Sequence, residues 1–119
     1  MKNYRDLNVW KQAHEYVLHI YKLTKSFPRE EIYGITSQIR RSALSIPANI
    51  AEGCGRNSDA ELRRFLEIAY GSASENDYLL LLSHQLCYVK NEDYSTLLEQ
   101  LNGIRRMLNT FIRKLKAQR

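Results

Sequence analysis

An all-α fold, an antiparallel up-down four-helix bundle with a Pro-kinked second helix, is predicted by three features of this sequence. Apolar residues recur at spacings of three and four in four separate stretches, the pattern of a helix with one buried face. The links between those stretches are short and carry Gly, Pro or polar residues, which favours antiparallel neighbours. No stretch alternates as a half-buried strand does, and five glycines and two prolines in 119 residues are too few for a turn-rich β architecture. One domain over residues 1–119 is expected, with no internal repeat, linker or low-complexity tract to divide it.

The elements follow in order. Trp10, Ala13, Val17, Ile20 and Tyr21 share a face of a first helix, about 6–26, which Phe27-Pro28 ends because a residue before proline is pushed out of the α region. Glu30 and Glu31 favour a helix N-terminus, and Ile32, Ile35, Ile39, Ala43, Ile46 and Ile50 carry a second helix, about 30–53. Pro47 removes the bond to the Ala43 carbonyl and predicts a kink there, in preference to a split into two pieces, with Ser45 and Asn49 as candidate partners for the freed backbone. Gly53-Cys54-Gly55 is a stop. Ser58-Asp59-Ala60-Glu61 fits a capping box that opens a third helix, about 59–88, with Leu62, Phe65, Leu66, Ala69, Ala73, Asn76, Leu80 and Leu86 or Cys87 inward. Leu79 to Leu82 is apolar all round, so this helix is expected to meet neighbours on two sides. After Lys90-Asn91-Glu92-Asp93, the residues Tyr94, Leu97, Leu98, Leu101, Ile104, Leu108, Phe111, Ile112 and Leu115 mark a fourth helix, about 92–116.

Composition narrows the function classes. No apolar run approaches the ~20 residues that cross a bilayer, so no membrane span is expected. The opening Met1-Lys2-Asn3-Tyr4-Arg5-Asp6 has no signal-peptide character, and a cytoplasmic location is expected. Cys54 and Cys87 are then expected as reduced thiols instead of a disulfide. The net charge of +5, from 18 Lys and Arg against 13 Asp and Glu, favours polyanionic partners. The stretch from Gly103 to Arg119 is the electropositive end, because it holds Arg105, Arg106, Arg113, Lys114, Lys116 and Arg119 and no acid.

Catalytic and metal chemistry find no foothold. Di-iron bundles need inward Glu-x-x-His pairs, and none of His14, His19 and His84 has a Glu three residues before it. His84 and Cys87 are two ligands where a metal needs more. Gly53-x-Gly55 follows a helix and lacks the third glycine or Gly-Lys-Ser/Thr ending of a phosphate cradle. Gly71-Ser72-Ala73-Ser74 is not a nucleophile elbow. The chain is therefore read as no enzyme, with no cofactor. The N-terminus near Arg56, Asn57 and Ser58 has room for one anion, but capping is the simpler role. The doublets Arg40-Arg41, Arg63-Arg64 and Arg105-Arg106, together with Arg113, Lys114 and Lys116, point to phosphate binding.

The segment Glu31-Ile-Tyr-Gly-Ile-Thr-Ser-Gln-Ile-Arg-Arg-Ser-Ala-Leu-Ser-Ile-Pro-Ala-Asn-Ile-Ala-Glu-Gly53 closely resembles the signature of the four-helix-bundle proteins encoded in 23S ribosomal RNA intervening sequences. Arg5-Asp-Leu-Asn-Val-Trp10-Lys-Gln-Ala13, Phe27-Pro28 and Phe65-Leu-Glu-Ile-Ala-Tyr-Gly-Ser72 resemble the flanking motifs in the expected order. The likeness runs from roughly Tyr4 to Tyr88. It departs at Glu75-Asn76-Asp77, where such proteins usually read Glu-Leu-Glu, and the fourth helix matches in pattern alone. The resemblance implies a homo-oligomer, typically a pentameric ring, and a likeness to the basic accessory protein of diversity-generating retroelements, which binds nucleic acid and a reverse transcriptase. It supplies no catalytic residue.

Two functional expectations follow. The first is a basic, homo-oligomeric scaffold that contacts RNA or DNA phosphates through Arg105, Arg106, Arg113, Lys114 and Lys116, then Arg40 and Arg41, with little base readout. The second is an interaction scaffold that docks on a reverse transcriptase or ribosomal partner. Pro47, Asn49, Glu52, Gly53, Arg56, Ser58 and Glu61 are read as structural: a bend, a stop, a cap, and a pairing of Glu52 with Arg56 or with an arginine doublet.

Overall fold

Apolar stripes of this width cannot stay in water, and four of them close on one another. The computed structural model describes residues 3–117, in which α1 (Asn8–Thr24), α2 (Ile35–Cys54), α3 (Asp59–Gln85) and α4 (Asn91–Ala117) run alternately up and down. Each helix packs on its chain neighbours and α4 returns to α1, while no backbone approach joins α1 to α3 or α2 to α4. The frame measures 47 × 23 × 20 Å. No strand occurs among the described residues.

The boundaries have local causes. Asn3 Oδ1 accepts from the Arg5 amide at 3.1 Å and starts a single 3₁₀ turn, Tyr4–Asp6, ahead of α1. The Thr24 hydroxyl donates to the Ile20 carbonyl at 2.7 Å as α1 ends. The second helix does not begin at Glu30, as the two acids suggested. Pro28 is extended, Arg29–Glu31 form a separate 3₁₀ turn, and α2 opens at Ile35. Glu31 still serves that terminus from outside, because its Oε1 accepts from the Ile35 amide at 3.4 Å. Its other oxygen accepts from the Tyr88 hydroxyl at 2.9 Å, which ties the start of α2 to the exit of α3.

Helix α2 runs without a break through Pro47. The Asn49 amide donates to the Ser45 carbonyl at 2.8 Å and to its hydroxyl at 2.9 Å, so it secures the turn beside the proline and not the Ala43 carbonyl that Pro47 leaves without its usual donor. Ser45 Oγ also meets Ser72 Oγ at 2.8 Å across the α2–α3 contact. Gly53 lies inside α2 instead of ending it, and its reason is proximity. A Cβ there would meet Leu62 Cδ1 and Phe65 Cβ, each at 3.0 Å, where α2 and α3 approach.

Ser58 caps α3 by accepting from the Glu61 amide at 3.2 Å. The Glu61 carboxylate lies 3.8 Å from Arg64 in place of a reach back to the cap. At its far end α3 closes at Gln85, short of Tyr88, because Cys87 takes the left-handed conformation with φ 66°. Tyr88 N then donates to the Ser83 carbonyl at 2.9 Å and Cys87 N to that of His84 at 3.0 Å, the bond pair of a Schellman ending.

The core is a continuous column. Ala13, Ile20, Ile39, Ile46, Ile50, Leu66, Leu80, Leu101 and Leu108 lose all or nearly all exposure, and each isoleucine and leucine side chain among them contributes about 1.5–3 kcal/mol from burial. Ile32, Tyr21 and both Leu86 and Cys87, expected on inner faces, stay partly in water, the last two because α3 has already ended at Gln85, whereas Val9, Tyr16 and Thr24 take inner places that the spacing did not single out. A polar junction lies inside the column. Tyr16 Oη donates to Asn76 Oδ1 at 2.5 Å, and Asn76 Nδ2 donates to the Ile39 carbonyl at 2.9 Å and to Ser42 Oγ at 2.8 Å. Every polar atom of the buried Asn76 side chain is thus satisfied, which is the condition for holding it there without penalty. Burial first, with the Asp77 charge adding and Arg105 opposing, pushes the Tyr16 hydroxyl well above the ordinary tyrosine range.

Candidate nucleic-acid interface

Successive helical residues point about 100° apart, so an arginine doublet on a packed helix is divided between two environments. In α4 that division separates Arg105 from Arg106. Arg105 turns toward α3, where Nη2 lies 2.9 Å from Asp77 Oδ2 and 2.7 Å from Asn102 Oδ1. Arg106 is exposed and has neither hydrogen bond nor ion pair among the described residues. Arg113 stands two turns further along the same outer face, roughly 10 Å away at 1.5 Å per residue. It and Lys114 are likewise exposed and unpaired among the described residues. Lys116 is exposed too, but its ammonium lies 3.9 Å from Glu67 of α3.

The doublet of α2 divides in the same way. Arg40 leans on α1, with Nε donating to Thr24 Oγ1 at 2.8 Å and the guanidinium 5.0 Å above the Tyr21 ring. Arg41 is exposed and unpaired among the described residues. Of the seven cations singled out by sequence, Arg41, Arg106, Arg113, Lys114 and Lys116 face water, and Arg40 and Arg105 are fastened to neighbouring helices. Arg119 lies outside the described residues.

At the junction of α2 and α3, Arg56 and Arg64 are already matched by acids. Arg56 pairs with Glu52 at 2.7 Å, and both Arg56 and Arg64 lie over the Phe65 ring, 4.7 and 5.3 Å from its centre. Ser58 spends its oxygen on the α3 cap, and Asp59 adds negative charge to the shallow pocket formed with Gly53 and Asn57. An anion placed there meets little unspent positive charge. The outer face of α4 is different, since its C-terminal half carries three unmatched cations.

Sequence reasoning did not find Asp77 as the partner of Arg105, because which doublet member turns inward depends on where α3 lies. Nor did it find the parallel stack of His14 on Trp10, with ring centres 4.9 Å apart. The four-residue spacing between those rings was the available signal. Among the described residues no group of His, Cys, Asp and Glu is placed to hold a metal ion, and no helix is long and apolar enough to cross a membrane.

A ring of four alternating helices with long, outward-facing basic residues places this chain among the small helical-bundle proteins. More particularly, it belongs to the 23S rRNA-intervening sequence protein family, whose model matches residues 5–110. A solved structure from Bacteroides thetaiotaomicron VPI-5482, of a protein with unknown function from the S23 ribosomal protein family, is similar in fold. Its TM-score is 0.82 and its identity 30%, over 87% of this chain and 97% of its own. No curated protein matches the chain.

Proposed function

We propose that this chain is a non-catalytic, homo-oligomeric scaffold, a pentamer as its family resemblance implies, that binds RNA or DNA through the phosphate backbone. The observation that carries the reading is the row of Arg106, Arg113 and Lys114 on the outer face of α4, exposed and without acid partners among the described residues. Unmatched cations on one rigid helix engage phosphates by displacing their counterions, which gives affinity without sequence readout. Membership in a family named for an rRNA insertion supports RNA as the polyanion. The exposed apolar side chains Leu18, Leu44, Ile68 and Tyr78 support burial against further copies.

A second reading draws on Tyr33, which is 95% exposed beside the half-exposed Ile32. An aromatic ring so displayed favours protein docking, and a reverse transcriptase or ribosomal protein is the partner this scaffold would then serve.

The test is a titration of labelled structured RNA and duplex DNA at several salt concentrations, with the mass read by light scattering. Phosphate binding predicts that log affinity falls linearly with log salt, by about 0.9 per contact for duplex DNA. Arg106→Glu with Arg113→Glu is expected to weaken binding to all sequences and flatten that slope while the mass stays unchanged. An oligomer with no affinity at low salt overturns the phosphate reading in favour of protein docking, and a monomer overturns the assembly.

A further inference from the structure

The three histidines stand in different surroundings. His19 Nδ1 lies 2.9 Å from Gln100 Oε1, and His84 Nε2 lies 2.7 Å from Asn91 Oδ1 while its ring stacks on Tyr94. His14 is exposed and makes no hydrogen bond or ion pair among the described residues. It is held by its ring alone, stacked on Trp10 with centres 4.9 Å apart and planes inclined by 6°.

One face of His14 is covered by the indole, so its exposure belongs to the opposite face and the ring edges. Behind it the platform is firm. Trp10 is half-buried, Tyr4 meets it edge-on at 5.0 Å, and the Arg5 guanidinium lies 4.9 Å above the Tyr4 ring. Four planar groups follow one another and end at an open aromatic face. Lys11 is exposed one turn before His14, and further along the same side of α1 the Tyr21 ring carries Arg40. Aromatic rings interleaved with cations are the arrangement that single-stranded nucleic acids use, because every unpaired base offers a π-face and every linkage a phosphate.

We propose that the outer face of His14 is a stacking site for an unpaired nucleobase of single-stranded nucleic acid, with Lys11, one turn earlier on α1, placed for a flanking phosphate. This rests on the phosphate-binding reading above and adds to it a preference for unpaired strands. A base in a duplex has both faces covered by its neighbours and cannot enter; a base in a loop or single strand can.

The test uses the full chain, with His14→Ala and His14→Tyr variants, against a mixed-sequence single strand and a strand of equal length that carries abasic positions. Thermal melts confirm the fold, and Trp10, the one tryptophan of the chain, reports by its emission. The base-bearing strand is expected to bind more tightly than the abasic one and to quench Trp10. His14→Ala is expected to weaken the base-bearing strand by about 5- to 150-fold, the range for one stacked base, and to leave the abasic strand unchanged, while His14→Tyr retains binding. Equal losses on both strands, equal losses in both variants, or no loss at all overturn the stacking site. If both strands bind alike with the same salt dependence, the stacking site falls and the phosphate reading stands. If neither binds at low salt, both fall.

Discussion

Arg105 of α4 and Asp77 of α3 form an ion pair at 2.9 Å whose side chains keep 21% and 34% of their exposure, while the next residue, Arg106, stands in solvent. Removal of Arg105 therefore acts on stability and removal of Arg106 on binding. Arg105→Ala is expected to lower stability by about 1 kcal/mol, a figure discounted for solvent screening of a pair that is partly exposed. Its affinity for polyanions should change less than that of Arg106→Ala. Urea unfolding and binding titrations on the two variants check this, and a larger binding loss for Arg105→Ala would reverse the assignment.

Tyr16 makes stability depend on alkali. Its hydroxyl proton is held more tightly in the folded chain than in the unfolded one. Its contribution is therefore fully present below the unfolded tyrosine value of about 10 and is lost as pH rises beyond it, since the unfolded state then gives up the proton first. Tyr16→Phe is expected to cost about 1–3 kcal/mol at pH 7, as Asn76 Oδ1 loses its donor, and to show a shallower decline above pH 10. Parallel denaturation series of the two proteins isolate the difference from other titrating groups.

Thr36 carries the opposite defect. Its hydroxyl oxygen is buried and lacks a hydrogen-bond partner among the described residues. Thr36→Val keeps the shape and removes the orphan group, so it is expected to raise stability by about 1 kcal/mol, seen as a higher urea midpoint with unchanged slope.

Cys87 holds a left-handed backbone conformation at the end of α3. A side chain there costs about 1–2 kcal/mol, part of which glycine returns in lost chain entropy when unfolded. Cys87→Gly is expected to stabilise by about 0.5–1 kcal/mol and raise the melting temperature by a few degrees.

How much of this was legible follows from the range of each interaction. The α4 stripe from Leu97 to Leu115 was legible because a helix with one neighbouring core repeats its pattern over many turns. The Ser58 cap and the Glu52–Arg56 pair were legible because their partners lie three and four residues away. Asn76 was assigned inward, yet its partner Tyr16 lies 60 residues earlier, and spacing says nothing about such a distance. The start of α2 was misread for a local reason. Two acids suit a helix N-terminus, but here Glu31 caps from a preceding turn. Among the cations, exposure decides which can reach a ligand, and exposure depended on neighbouring helices for Arg40 and Arg105 alike.

Four rods joined only to their neighbours make a four-sided frame, and such a frame racks sideways with little resistance unless a diagonal is fixed. Helices α1 and α3 stand on a diagonal, and their backbones do not approach. The bond from Tyr16 to Asn76 crosses that diagonal, and Asn76 also grips α2 through Ile39 and Ser42. One asparagine thus braces three helices against shear and holds the corners of the cross-section square. The outer faces of α1 and α4 keep their mutual bearing because of a side chain that never meets solvent.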